Sequence, residues 1–147
     1  MFSEKSCFHK SDNIKVTHLY IPPITNSAND NRSQNFNPDY LPTKKSIVMG
    51  DTNAHSPYWD DYQPTNDLGE KIETWLDSND IVVANDGSPT RINPATGGLS
   101  VPDTTFISAD IFQQSEWYVL ADTYGSDHHP VILNLDFEID KVNTKRI

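Results

Sequence analysis

The chain has 147 residues, with 11 Lys and Arg against 21 Asp and Glu and a formal net charge of −10. The length fits one ordinary domain and not two, and the acidic balance excludes a protein that grips nucleic acid through a basic surface alone. Carboxylates that bring a divalent cation to a phosphate remain compatible with it, because the ion inverts the local field.

Residues 1–13 (MFSEKSCFHKSDN) are polar and without period; they lack the apolar core of a signal peptide and are given no structure. Cys7 is the single cysteine, so neither an intrachain disulfide nor a thiolate metal cage is expected. An intracellular protein that is not secreted fits these features. Residues 14–21 (IKVTHLYI) alternate apolar and polar positions, with one slip, and predict a strand that Pro22-Pro23 stops by removing two backbone donors. Residues 24–44 are rich in Asn, Ser, Asp and Pro, a long surface loop of the kind that is functional or poorly ordered rather than structural. Residues 46–50 (SIVMG) read as a short strand buried on both faces. A polar, proline-bearing loop then leads from Asp51 to Asn66.

The clearest helix follows. Asp67 caps it with Glu70 three residues on, and Leu68, Ile72, Trp75 and Leu76 form one apolar stripe. Asp77-Ser78-Asn79-Asp80 ends it, and residues 81–84 (IVVA) are a second buried strand; strand, helix, strand is an α/β unit. Apolar runs such as this one stop at four or five residues, too short to span a membrane. Residues 85–100 are turn-rich and predict a small hairpin. Strands are expected at 101–108 (VPDTTFIS), 116–121 (EWYVLA) and 131–137 (VILNLDF), with one helical turn at 109–115 and a charged tail at 138–147. The total, about six strands and one firm helix, predicts an α/β fold equal to one half of a layered sandwich. A single domain would occupy residues 14–137, between an unassigned segment at 1–13 and the tail.

Four segments place polar residues at or near strand ends, where open α/β sheets build their sites. They are Tyr20; Asp51-Thr52-Asn53; Asp103; and Ser126-Asp127-His128-His129-Pro130. One such Asp is weak evidence, since Asp favours turns and caps for local hydrogen bonding. Together the set supplies a hard-metal ligand, an amide to orient a phosphate, and an imidazole steered by a carboxylate. Those are the parts that metal-assisted phosphodiester hydrolysis requires.

Gly50-Asp51-Thr52-Asn53-Ala54-His55, Ser88-Pro89-Thr90-Arg91, Pro102-Asp103-Thr104-Thr105-Phe106 and Gly125-Ser126-Asp127-His128-His129-Pro130 stand in an order and spacing that resemble the endonuclease/exonuclease/phosphatase superfamily. Ser56-Pro57-Tyr58-Trp59 and Tyr20-Ile21-Pro22-Pro23 resemble its non-LTR retrotransposon branch, the apurinic-like endonucleases. The resemblance runs over about residues 13–137. It implies a Mg²⁺-dependent phosphodiesterase, with Mn²⁺ as a possible substitute, that nicks DNA and would be nuclear if active. It also implies a reverse transcriptase in the parent polypeptide. Asp51 would position or deprotonate the attacking water, or protonate the leaving oxygen; Asn53 would bond the scissile phosphate and orient Asp51. Asp127, with Asp51, would hold the metal. His128 would contact the phosphate or move a proton, Asp103 would hold the second nitrogen of His128, and the Tyr20 hydroxyl would reach the phosphate.

Two departures from the family pattern stand out. Thr52 replaces the usual Phe, which reads as a packing change. The superfamily domain is a four-layered α/β sandwich, and the resemblance covers its C-terminal portion, so an N-terminal half carrying the principal metal-binding Glu is missing; Glu4 is not promoted to that role. Two further readings stay open: a non-catalytic remnant of a retroelement endonuclease, and a superfamily phosphatase or phosphodiesterase with another substrate. Among lesser candidates, Arg91 is a DNA-phosphate contact or a solvated hairpin charge, His55 structures its loop, and His18 is a surface or packing residue. His128 and His129 together could suggest a two-histidine metal site, but joint ligation is not expected, because adjacent strand residues face opposite ways. Trp59 and Trp75 are expected in the core. Lys44-Lys45 and the tail's Lys141, Lys145 and Arg146 are too sparse for a nucleic-acid stripe.

Overall fold

The computed structural model describes residues 14–23 and 35–136. The readings made of Glu4, Cys7, residues 24–34, Phe137 and the tail lie outside the described residues. In chain order the elements are β1 (Lys15–His18), a single 3-10 turn (Pro38–Tyr40), β2 (Ser46–Asp51), α1 (Asp67–Asp77), β3 (Ile81–Val83), β4 (Arg91–Ile92), β5 (Leu99–Ser100), β6 (Asp103–Ser108), α2 (Ala109–Phe112), β7 (Ser115–Val119) and β8 (Val131–Leu135). The mixed α/β character expected from the sequence is what the chain adopts. Its described strands outnumber the expected six because the hairpin at 85–100 contributes two very short ones, β4 and β5.

Four strands form one sheet in the order β1-β2-β6-β3. β1 runs parallel to β2, with Val16 opposite Ile47, whereas β6 runs antiparallel to both β2 and β3, placing Phe106 between Val48 and Val83. β1 is shorter than residues 14–21, but its pairing continues past His18: Leu19 donates its N–H to Met49 O and Ile21 to Asp51 O, both at 2.9 Å. That continuation carries Tyr20 to the edge of the site. β2 is longer than expected by one residue, so Asp51 is itself in the sheet, and β6 starts at Asp103 rather than at Val101. Asp51 and Asp103 are therefore direct cross-strand partners.

Alternation along β2 and β6 divides the core between the two faces of this sheet. On one face Val48 and Phe106 pack with Leu68, Ile72, Trp75 and Leu76 of α1 and with Trp59 from the loop after β2. The rings of Trp59 and Trp75 both meet Phe106 edge-on, with centroids 5.6 and 6.0 Å away. On the other face Ile47 and Ile107 pack with Ile111 of α2 and with Leu133 and Leu135 of β8, while Trp117 Nε1 of β7 donates to Thr105 Oγ1 at 3.1 Å. Helix, sheet and the β7–β8 ribbon thus form successive layers. β3 is a less complete core strand than its sequence suggests, since Ile81 is buried and Val82 and Val83 only half-buried.

The helix begins one residue earlier than the Asp67 cap proposed from the sequence. Asn66 is the N-cap, its Oδ1 accepting the Gly69 N–H at 2.8 Å, and Asp67 is the first helical residue. Both residue types cap helices well; tertiary contacts select Asn. The same Oδ1 accepts from His55 N at 3.1 Å, and Asn66 Nδ2 donates to Asn53 O at 2.9 Å, contacts that a carboxylate could not complete. One side chain therefore starts the helix and pins the loop that carries Asn53 and His55.

Candidate active site

Asp51, Asp103 and His128 converge at the end of the sheet where β2 finishes and β6 begins, each half-buried. Each offers a ligand atom, and those atoms lie within 4.8 Å of one another. His128 Nδ1 donates to Asp103 Oδ2 at 2.7 Å, which leaves Nε2 as the open nitrogen of the ring. Asp103 Oδ2 also accepts from Thr90 Oγ1 at 2.7 Å, and Thr90 Oγ1 in turn accepts the Asp103 N–H at 3.2 Å. Thr90 is fully buried, so this two-way clamp fixes the carboxylate before it reaches the histidine. Asn85 secures the same strand, donating Nδ2 to Asp103 O at 2.9 Å and accepting Thr105 N–H at 2.8 Å.

Burial, followed by the neighbouring charge of Asp103, pushes the Asp51 carboxyl above its ordinary value; His128, the Asn53 N–H and Arg91 offset this in part. Two carboxylates facing one another across adjacent strands, one of them partly desolvated, are an oxygen-rich donor set suited to a hard divalent cation. Asn53 stands beside them with a left-handed backbone (φ 49°), a conformation Asn tolerates better than most residues. Its N–H bonds Asp51 Oδ1 at 3.2 Å and its Nδ2 bonds Ile21 O at 2.9 Å. Asn53 thus ties the end of β2 to the segment that continues β1.

Loop and hairpin are stitched together by main-chain bonds. Ile92 donates to Asp127 O at 2.9 Å, His129 donates to Thr90 O at 2.7 Å, and Arg91 forms a β-bridge with His128. That seam sets Arg91 beside Asp127, where Nε donates to Oδ2 at 2.9 Å. The hydrogen bond from Arg91 holds the Asp127 carboxyl below the usual range. The structure therefore brings Asp51, Asp103, His128 and Asn53 together but leaves Asp127 outside the cluster, on Arg91. Tyr20 is exposed at the rim, next to Ile21, which contacts both Asp51 and Asn53 through its backbone.

His55 is bound at Nδ1 to Asp60 Oδ2 at 2.7 Å, as a loop-structuring residue would be, and also lines a cleft beside the cluster. His18 is exposed, and His129 Nδ1 turns to Leu120 O at 2.9 Å, away from His128's partner. Trp59 and Trp75 are buried. Thr52 is buried too, but as more than a packing change: its hydroxyl reaches Pro102 O at 3.2 Å and Thr104 Oγ1 at 3.1 Å, bonds a phenylalanine would not make. Thr90 and Asp60 were not singled out by sequence reasoning. Thr90 lies inside the Ser88-Pro89-Thr90-Arg91 segment, but nothing in the spacing points to Asp103, thirteen residues on.

No curated protein matches the chain. The solved endonuclease domain of TRAS1, a telomere-specific non-LTR retrotransposon, has the same fold, with a TM-score of 0.59 at 24% identity over 69% of this chain. The aligned part is 48% of that structure, so the chain spans about half the length of the domain it resembles. The family described as endonuclease-reverse transcriptase matches residues 14–132, which include every residue of the cluster and both segments of the seam. The chain belongs to the endonuclease-reverse transcriptase family.

Proposed function

We propose that the chain carries the catalytic cluster of a metal-dependent endonuclease that hydrolyses phosphodiester bonds in DNA. The observation that carries the reading is the Thr90–Asp103–His128 relay set opposite Asp51 at one sheet end. Family membership supports a nucleic-acid substrate, and a divalent cation such as Mg²⁺ suits the carboxylate oxygens of Asp51 and Asp103. When bound, such an ion would neutralise charge on the phosphoryl oxygens and the leaving oxygen.

The chain's own residues supply the rest. Hydrolysis joins a water oxygen to phosphorus and breaks the phosphorus–oxygen ester bond, so one proton leaves the water and one reaches the departing strand oxygen. Asp51, opposite Asp103 across the strands and beside His128, is placed to orient the attacking water or pass on such a proton. His128 presents Nε2 to the phosphate while Asp103 holds Nδ1, so a charge developing on the imidazole is met by a fixed carboxylate. Asn53 keeps Asp51 in place through its N–H. Arg91, braced by Asp127, offers its remaining N–H groups to the DNA backbone.

The test is nicking of supercoiled plasmid with Mg²⁺, with and without EDTA. His128→Ala and Asp51→Ala should each lower the rate about 10²- to 10⁴-fold, the usual worth of positioned acid–base groups. Asp103→Asn should cost less than His128→Ala, because it disturbs orientation and leaves the imidazole in place. Nicking retained by either alanine variant would sink the assignment.

A further inference from the structure

Beside the cluster lies a polar cleft of about 310 Å³, lined among others by Asn53, His55, Gln63, Arg91, Asn93 and Pro102. It adjoins the site through three of these residues: Asn53 is two positions from Asp51, Pro102 precedes Asp103, and Arg91 follows Thr90. In a chain with a net charge of −10, the titratable groups named in its lining are both basic. Each is braced from behind by a carboxylate, Arg91 Nε by Asp127 and His55 Nδ1 by Asp60.

The His55–Asp60 pair lies apart from the cluster of Asp51, Asp103 and His128. Asp60 is 1% exposed, yet its carboxylate stays ionised. Burial pushes the Asp60 carboxyl up, but the hydrogen bonds from His55 and from Val101 and Tyr62 N–H outweigh it, and the carboxyl sits below its ordinary value. With Nδ1 committed to that buried anion, His55 has Nε2 left for the cleft, and its side chain is 22% exposed. A carboxylate behind an imidazole fixes the ring's orientation and sets which nitrogen is left free. A cavity lined by a guanidinium and an imidazole held this way, with the amides of Asn53, Gln63 and Asn93 also in its wall, offers N–H donors to a phosphate once the ring is protonated.

We propose that this cleft binds a phosphodiester of the DNA strand flanking the scissile one, gripped by the Arg91 guanidinium and by His55 Nε2–H when the ring carries a proton. The proposal rests on the DNA-hydrolysis reading for its ligand. His55 thereby becomes a substrate-binding residue, and Asp60 the residue that positions it.

The salt dependence of binding tests it. Affinity of the whole chain for a fluorescent DNA duplex, in EDTA to prevent cleavage, is measured over a NaCl series at about pH 6, below the ordinary histidine value of about 6.5. His55→Gln and Arg91→Gln should each weaken binding about tenfold and lower the slope of log K against log[salt] by about 1, the signature of one lost phosphate contact. A weakened affinity with an unchanged slope, or no change, in His55→Gln overturns the proposal. A second measurement needs no variant: in the wild-type chain, bound duplex should shield His55 but not exposed His18 from diethylpyrocarbonate, and an unshielded His55 overturns the proposal equally. Binding without nicking by the wild-type chain would remove the hydrolysis reading and leave the cleft, and absence of binding removes both.

Discussion

Thr90 Oγ1 takes the Asp103 N–H and returns its own proton to Asp103 Oδ2, so one buried hydroxyl sets both the backbone and the carboxylate of the residue that steers His128. Thr90→Val keeps the shape and removes both bonds. The part-buried Asp103 N–H loses its partner, which costs up to about 1–3 kcal/mol, and Asp103 is freed to turn. A urea melt should register that loss, and nicking should fall while staying above the His128→Ala rate; an unchanged melt and rate would show the clamp to be idle. The pairing of Asp103 with His128 was legible in the sequence as a resemblance. Its third member was not, because a threonine in a turn carries no pattern that separates a clamp from a turn former. The Arg91–Asp127 contact was hidden for another reason: it depends on the seam between the β4–β5 hairpin and the loop before β8, a tertiary contact.

At the scale of elements, the end of the site loop and the start of α1 are a single joint. Gly69 sits in the first turn of the helix, and a Cβ at that position would lie 1.9 Å from the main-chain oxygen of His55. Helix propensity alone favours Ala over Gly by about 1 kcal/mol in a helix interior. Here the sign reverses, because the obstructing atom is backbone already held by Asn66. Gly69→Ala should lower the melting temperature by several degrees, and a rise would show that the joint is slack. Gly50 has the same character on the other side of the site, where a Cβ would meet Leu19 O at 1.9 Å, so the segment that continues β1 passes the end of β2 over a glycine. The strands and the helix were readable from apolar periodicity and β-branched runs, to within one or two residues at their ends. The exact ends mattered most, since one extra residue on β2 and two fewer on β6 make Asp51 and Asp103 cross-strand partners.

Across the whole molecule, Phe106 is the point on which the layers converge. It lies in the central strand β6, between Val48 and Val83, with the edges of two tryptophan rings against it, one from the loop after β2 and one from α1. Phe106→Ala should cost about 3–5 kcal/mol, a large part of the 5–15 kcal/mol typical of a domain, seen as an early midpoint in urea; a shift below about 1 kcal/mol would mean that the core collapses around the gap. The sequence by itself determined the α/β class, the family and the short runs from which the Asp51, Asp103 and His128 cluster is drawn, because those rest on local periodicity and on residue types and their order along the chain. Only the tertiary structure decided which carboxylate serves which partner. Asp103 goes to His128 and Thr90, Asp127 to Arg91, and Asp60 to His55. These pairings join segments brought together by sheet register and by the hairpin seam, and the strength of an ionic hydrogen bond depends on distance and burial in space rather than on separation along the chain.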